Sequence, residues 1–288
     1  MFYKLVNAYS RHFPFPRRGL KYFLRFMKLA GIGSKTFSKK MPGNFYMHLN
    51  PLEHIQQQLF WYGHYEKEVG DLLKKIIKPG DVFIDAGANI GYFSLLVAKA
   101  EPTSTVIAFE PASNVFEKLN SHIQLNDFKN ITAVNAAAGE KDETGELFLS
   151  GTDNEGMSSL KKPENYSGKS EEIKIINLDN WFKESGLRKI SVIKIDVEGS
   201  ELAALRGMKE IISQFHPLII TEVNPGTLSL FDIKVKDVYH FITQLNFVIF
   251  VVKKNGRLEE MTKQVNENSV NVLIVHKDEI QKYPQLFK

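Results

Sequence analysis

The chain has 288 residues, 43% of them hydrophobic, with 37 Lys and Arg against 33 Asp and Glu, a formal net charge of +4 and no cysteine. That is enough apolar material for one large domain, or for one domain with an appendage, and the lack of cysteine excludes disulfides, thiolate catalysis and thiolate zinc sites. No apolar run approaches the roughly 20 residues that cross a bilayer, and the opening Met-Phe-Tyr-Lys-Leu-Val-Asn lacks the order of a secretory signal, so a cytoplasmic protein is expected.

Charge is placed unevenly. Residues 1–52 hold ten of the Lys and Arg and none of the acids, which leaves the remainder acidic. Within residues 17–29, Leu20, Phe23, Leu24 and Met27 repeat at i, i+3, i+4 and i+7, while Lys21, Arg25 and Lys28 line another face. The pattern predicts a basic amphipathic helix, bracketed by Pro14, Pro16 and Gly31-Ile-Gly33. A cap with a solvated basic side is one reading; peripheral association with an anionic membrane surface is another. Nucleic acid is a weaker third, because no recognisable binding motif accompanies the basic residues. The expected division is a basic N-terminal segment over 1–50 and a larger unit over 51–288.

In chain order, a short strand is predicted at 45–49, then helices over 51–62 and 66–77, the second ended by Lys78-Pro-Gly80. Strand and helix then alternate. Strands at 82–84, 106–109 and 132–135 are separated by helices over 92–100 and 115–125. Shorter strands at 147–149 and 173–176 flank a polar stretch, and Leu178-Asp179 reads as a strand end. A buried strand at 192–195 feeds a helix over 201–213. A strand at 218–222, a helix over 235–245 and strands at 247–253 and 270–276 complete the set. Such alternation predicts an α/β fold, a mostly parallel sheet with helices on both faces, whose ligands bind at the carboxyl ends of its strands.

Val82-Phe-Ile-Asp-Ala-Gly-Ala-Asn-Ile-Gly91 is an apolar strand that runs into an acid and a glycine turn, followed at once by an apolar helix. Gly87 and Gly91 permit a tight turn and a close backbone approach to a ligand, and the helix begins there with free N–H groups. A glycine turn alone also serves NAD, FAD and plain packing. Asp85 and Glu110 sharpen it, because Glu110 ends the next strand, where a carboxylate can accept from both ribose hydroxyls. Tyr92 and Phe93 crowd the space a pyrophosphate would need, which disfavours a dehydrogenase. A nucleoside cofactor without phosphates fits better.

Several further segments, in order, carry a resemblance over roughly residues 80–225. Asp85-Ala-Gly-Ala-Asn-Ile-Gly-Tyr-Phe-Ser94, Ala108-Phe-Glu-Pro111, Asn135-Ala-Ala-Ala-Gly139, Gly156-Met-Ser-Ser159, Ile193-Lys-Ile-Asp-Val-Glu-Gly-Ser-Glu201 with Leu205-Arg-Gly207, and Ile219-Ile-Thr-Glu222 together resemble the FkbM-type methyltransferases. The resemblance implies a Rossmann-like class I fold with a seven-stranded sheet, S-adenosylmethionine as cofactor, and mostly O-methylation. It implies cofactor contacts from Asp85, Gly87, Asn89, Gly91, Tyr92, Phe93, Glu110, Pro111, Ala137, Met157, Ser158 and Asp196, with Asn89 facing the methionine part and Asn135 to Gly139 near the adenine.

A hydroxyl is a poor nucleophile until its proton is removed, so a general base or a metal ion is required. Asp196, Glu198 and Glu222 are the candidate catalytic acids. Asp196 reads as the base or acceptor-orienting group, or as a cap of the following helix. Glu201 reads as a stabiliser of that helix's first turn. Asp196, Glu198 and Glu201 together offer an alternative, a Mg²⁺ site. Glu222 reads as orienting the acceptor or as a buried acid paired with Lys194 or Arg206. His64, Trp61, Tyr62 and Tyr65 lie where a segment before the core could cover the site. The expected reaction is methyl transfer to a hydroxyl of a sugar, glycan or related small molecule. Two alternatives stand beside it: an inactive cofactor-binding scaffold that recruits partners through its basic head, and an N- or nucleic-acid methyltransferase. The residues leave oligomeric state open.

Overall fold

The computed structural model describes residues 22, 24, 25, 35–150, 158–162, 166, 168–261 and 269–287. The predicted basic helix lies outside them except for Tyr22, Leu24 and Arg25, which are helical. Among the described residues no helix is long and apolar enough to cross a membrane.

An antiparallel hairpin, β1 (Phe37–Lys40) and β2 (Tyr46–Leu49), leads to helices α1 (His54–Tyr62) and α2 (Lys67–Ile76). The core follows as β3 (Val82–Ala86), α3 (Tyr92–Ala100), β4 (Thr105–Phe109), α4 (Ser113–Leu125) and β5 (Ile131–Val134). A small sheet comes next, formed by β6 (Ala137–Gly139), β7 (Glu143–Phe148) and β8 (Ser170–Asn177). The second half runs α5 (Leu178–Ser185), β9 (Val192–Ile195), α6 (Glu201–Arg206), α7 (Lys209–Phe215), β10 (Leu218–Val223), α8 (Pro225–Leu230), α9 (Val235–Gln244), β11 (Phe247–Val252), β12 (Leu258–Glu260) and β13 (Val270–His276).

The main sheet has the order β12-β11-β13-β10-β9-β3-β4-β5. Its strands from β5 to β10 are parallel, and β13 runs antiparallel between β10 and β11. The seven expected strands are present, and three-residue β12 adds an eighth at the edge. Chain direction across the sheet reverses at β3: the first half winds out to β5, and the second starts again at β9 on the other side. Such a switch point opens a crevice at the carboxyl ends of the two strands.

Period-two alternation decides which helices cover which face. Phe83, Val106, Ala108, Val192 and Ile220 pack with Leu59, Val69, Leu73, Leu95 and Leu119 of α1 to α4. Val82, Ile84, Ile107, Ile193 and Ile219 face the other way, onto Leu202, Leu205, Ile212, Val238 and Ile242. The β1–β2 hairpin, which falls inside the basic N-terminal stretch, sends Phe37, Met47 and Leu49 into the first of these layers. Fully buried Phe83 spans the sheet's centre, where truncation to alanine costs about 3–5 kcal/mol.

Two expectations are corrected. Leu178-Asp179 begins α5, and the Asp179 carboxylate accepts from the N–H groups of Glu210 and Ile211 at 2.8 and 2.9 Å, capping α7. The predicted helix over 201–213 is broken in two at Gly207, where a Cβ would lie 1.8 Å from the Gly139 carbonyl oxygen of β6. Only glycine lets the end of α6 press that closely on the small sheet.

Candidate active site

The switch point carries an open cleft of about 910 Å³, a figure that includes solvent at its mouth. Three backbone segments make its floor. The turn after β3 donates from the Gly87 and Ala88 N–H groups to the Phe109 carbonyl at 3.0 and 2.9 Å, and Asp196 N–H donates to the Ala86 carbonyl at 2.9 Å. The ends of β4 and β9 are thereby drawn onto the turn. Gly87 has φ +81°, and a Cβ there would lie 1.9 Å from the Asp196 carbonyl oxygen. Its first duty is therefore to let two strand ends meet.

Glu110 stands at the end of β4 with both carboxylate oxygens engaged by loop backbone: Asn89 N–H donates at 2.8 Å and Ala112 N–H at 2.9 Å. Each oxygen keeps a lone pair for a ligand. Burial pushes Glu110 up to about 7 against the pull of these two donors. Asn89 holds φ +52°, and its Oδ1 accepts from the Ile90 N–H at 2.7 Å. Asn135 donates to the Glu110 and Pro111 carbonyls, both at 2.9 Å, which fixes the neighbouring wall. Ala137, Ala138, Leu147 and Leu160 make that wall apolar and narrow. A carboxylate with free lone pairs beside a slot of small and apolar side chains suits a ribose joined to a flat base. These residues fit the nucleoside of S-adenosylmethionine.

At the other end, Lys194 is the one cation among the described residues that line the cleft. A lysine inside the otherwise apolar strand Val192–Ile195 has to be paired. Its Nζ lies 3.0 Å from Asp196 Oδ2 and 3.8 Å from Asp85 Oδ1, and 4.9 Å from the centre of the Phe93 ring. The carboxylates hold its ammonium above the ordinary lysine range in spite of burial. Asp85, fully buried, also accepts from Ser94 Oγ at 2.6 Å. Beyond Asp196 the backbone turns through Glu198, at φ +48°, a left-handed conformation that a non-glycine residue holds only when its surroundings demand it. Burial, then Asp196, Glu222 and Glu201, push Glu198 up to about 8.

Of the residues expected at the site, Gly87, Asn89, Tyr92, Phe93, Glu110, Pro111, Ala137, Ser158, Asp196 and Glu198 line the cleft. Three do not. Asp85 lies beneath the floor, Gly91 caps α3 behind it, and Glu222 sits one strand further along, bonded to Ser269. Met157 lies outside the described residues. The expected partners of Glu222 are corrected: Lys194 is held by Asp85 and Asp196, and Arg206 reaches Glu140 at 3.4 Å. The carboxylates considered for Mg²⁺ do not gather around a common point. Lys194 engages Asp196, Glu201 accepts from the Gly199 N–H at 3.0 Å, and among the described residues no three His, Asp or Glu side chains form a cation's ligand set. Glu201 thus ties the first residue of α6 to the turn that precedes it. Tyr65 lines the cleft, whereas Trp61 is buried in the core.

Lys194, Ile55 and Leu160 were missed as lining residues. The first had a signal, a charge within an apolar strand. Ile55 and Leu160 come from segments whose approach to the cleft no local pattern records.

The Methyltransferase FkbM domain matches residues 85–249, more than half of the chain. The 31-O-demethyl-FK506 methyltransferase FkbM of Streptomyces tacrolimicus is 28% identical, over 46% of this chain and 62% of that protein. The hexuronic acid methyltransferase AglP of Haloferax volcanii is 25% identical, over 66% of this chain and 73% of that protein. The crystal structure of methyltransferase FkbM from Methylobacillus flagellatus KT superposes with a TM-score of 0.44 at 16% identity, over 76% of this chain and 52% of that one. The match spans about three fifths of the length of several curated relatives, and a tenth of the Pseudomonas aeruginosa synthetase AmbE.

The domain match defines an S-adenosylmethionine-dependent methyltransferase domain, and the sheet order and switch-point cleft accord with that class. The chain belongs to the FkbM methyltransferase family.

Proposed function

We propose that the protein methylates a hydroxyl group of a sugar, glycan or related small molecule, with Glu198 as general base. The observation that carries this reading is the position of Glu198 and Asp196 in the cleft whose other end is built from Glu110 and Asn89. S-adenosylmethionine, when bound, supplies an electrophilic methyl carbon. Glu110 and the Asn89 turn hold the nucleoside, and Tyr65, Tyr92 and Phe93 wall off water at the methionine end. Glu198, pushed up to about 8, is in its ionised form a stronger base than an ordinary carboxylate and takes the alcohol's proton as the oxygen–carbon bond forms. Asp196, fixed by Lys194, is free to accept a second acceptor hydroxyl and align the attacking oxygen. The names of two relatives, a hexuronic acid methyltransferase and a 31-O-demethyl-FK506 methyltransferase, favour oxygen acceptors.

The test is calorimetric titration with S-adenosylmethionine and S-adenosylhomocysteine, with NAD as control, followed by an S-adenosylhomocysteine release assay over a panel of glycosides. Binding of the first two in the micromolar range with acceptor-dependent release is the expected result. No binding by folded protein would sink the reading.

A further inference from the structure

The glycine turn after β3 is reached from behind by a buried imidazole. His122, in the last turn of α4, is 2% exposed. Its Nδ1 lies 2.8 Å from the Ile90 carbonyl oxygen, and Ile90 lines the cleft between Asn89 and the Gly91 that caps α3. A carbonyl oxygen only accepts, so Nδ1 carries the proton. Nε2 is left to accept from the His48 N–H of β2 at 3.0 Å, with the His48 carbonyl oxygen 3.2 Å away. Burial favours the neutral ring that this pattern needs.

The Ile90 carbonyl and the Gly91 N–H belong to one peptide group. That N–H donates to the Ala88 carbonyl at 2.9 Å, so His122 on one side and Ala88 on the other fix the plane of the peptide. Gly91 holds φ +89°, and a Cβ there would lie 2.5 Å from Leu119 Cδ1, one helical turn before His122 on α4. Two side chains of α4 therefore press on the turn together. Asn89 passes its orientation on, because its N–H donates to Glu110 and its Oδ1 accepts from the Ile90 N–H. On the outer side, Asn126 accepts from the Tyr46 N–H at 2.6 Å and donates to the Tyr46 carbonyl at 2.8 Å, standing in for a strand partner of β2. Asn126 and His122 thus seat the end of α4 against the hairpin, and His122 continues to the turn. Resting on the assignment of this turn to the cofactor, we infer that His122 is a positioning residue for S-adenosylmethionine: its Nδ1–H holds the Ile90–Gly91 peptide in the orientation that binding requires, and its Nε2 ties that peptide to the β1–β2 hairpin.

The two ring nitrogens can be replaced one at a time. In His122→Asn the amide nitrogen takes the place of Nδ1 and keeps a donor for Ile90; in His122→Gln the amide reaches His48 and leaves the Ile90 carbonyl without its donor. Calorimetric Kd for S-adenosylmethionine and urea unfolding of the full chain are measured for both, with Asn126→Ala as a control that loosens the same junction without touching Ile90. Loss of one hydrogen bond predicts a Kd raised about 3- to 10-fold in His122→Gln, against a change under about twofold in His122→Asn and in Asn126→Ala. Asparagine is the poorer helix former, so His122→Asn should be the less stable of the His122 pair. Affinity and stability then move in opposite order, which a residue that only supports the fold cannot produce. Equal Kd shifts in the two His122 variants, a His122→Gln that binds like the unaltered chain, or an equal loss in Asn126→Ala would overturn the inference. Nitrogen NMR of the imidazole in the unaltered chain needs no variant to fold: a proton on Nδ1 is expected, and one on Nε2 alone would overturn the inference too. Absence of cofactor binding by the unaltered chain is a different outcome and would remove the methyltransferase reading itself.

Discussion

Lys194 and Asp196, two residues apart on one strand end, are joined by a hydrogen-bonded ion pair of 3.0 Å on the floor of the cleft. Strand alternation places both side chains on the same side of β9; Lys194 and its second partner Asp85 are buried while Asp196 is partly exposed, so it is the Lys194–Asp85 end of the cluster that burial makes interdependent. Replacing Lys194 with Met leaves Asp85 and Asp196 without their cation. The expected loss is about 3–5 kcal/mol of folding stability, the range found when one partner of a buried pair is removed. Urea unfolding measures it, and adding Asp85→Asn should recover part of the loss. Equal stability of Lys194→Met and the unaltered chain would refute the pairing.

Glu110→Gln keeps the shape of the side chain and an oxygen for one loop N–H, but removes the charge toward the ribose. Hydrogen bonds to charged groups contribute about 1.5–3 kcal/mol, so affinity for S-adenosylmethionine should fall about 10- to 100-fold. Calorimetry reports this directly. An unchanged Kd would place the ribose elsewhere.

Glu198→Gln cannot take a proton. With general-base assistance worth typically 10²- to 10⁴-fold, kcat should fall within that range while cofactor Kd stays within about threefold. Single-turnover methyl transfer separates the two. Retention of full kcat would move the base to Asp196 or Glu222.

Gly87→Ala introduces a Cβ 1.9 Å from the Asp196 carbonyl oxygen at a φ of +81°. Strand ends β3 and β9 would have to part, at a cost of at least about 2 kcal/mol. For a chain of this size that lowers Tm by several degrees. Scanning calorimetry with and without cofactor should show a lower Tm and a smaller ligand-induced increase.

Stability should fall as pH rises from about 6.5 to 8.5. Glu66, Glu110 and Glu201 are raised to about 7 and Glu198 to about 8, from an ordinary 4.5. The folded chain thus binds more protons than the unfolded one across this window, and stability decreases with pH. His122, lowered by burial, acts in the opposite direction, losing its contribution as pH falls below about 6.5, and so leaves the window to the acids. Glu198→Gln should flatten the slope of Tm against pH. A rising or flat slope in the unaltered protein would contradict the assignment.

The amino-acid sequence by itself determined the alternation of strand and helix, the first glycine turn, the acid after β4 and the acidic run after β9, because each is written in neighbouring residues. Asp85, Glu110 and Glu198 were legible for that reason. Their different fates were decided by tertiary structure: Asp85 went under the floor to meet Lys194, while Glu110 and Glu198 reached the cleft. Asp179 looked like the end of a strand, and only the approach of α7 turned it into that helix's cap. The helix over 201–213 carries continuous apolar periodicity, so its break at Gly207 depended on contact with Gly139, a residue far off in the chain. Least legible was that Asp196, Glu222, Asn271 and Glu66 lie in a row. Strand register and one long-range hydrogen bond assemble them, and register is a property of strands paired in space, which local pattern does not carry.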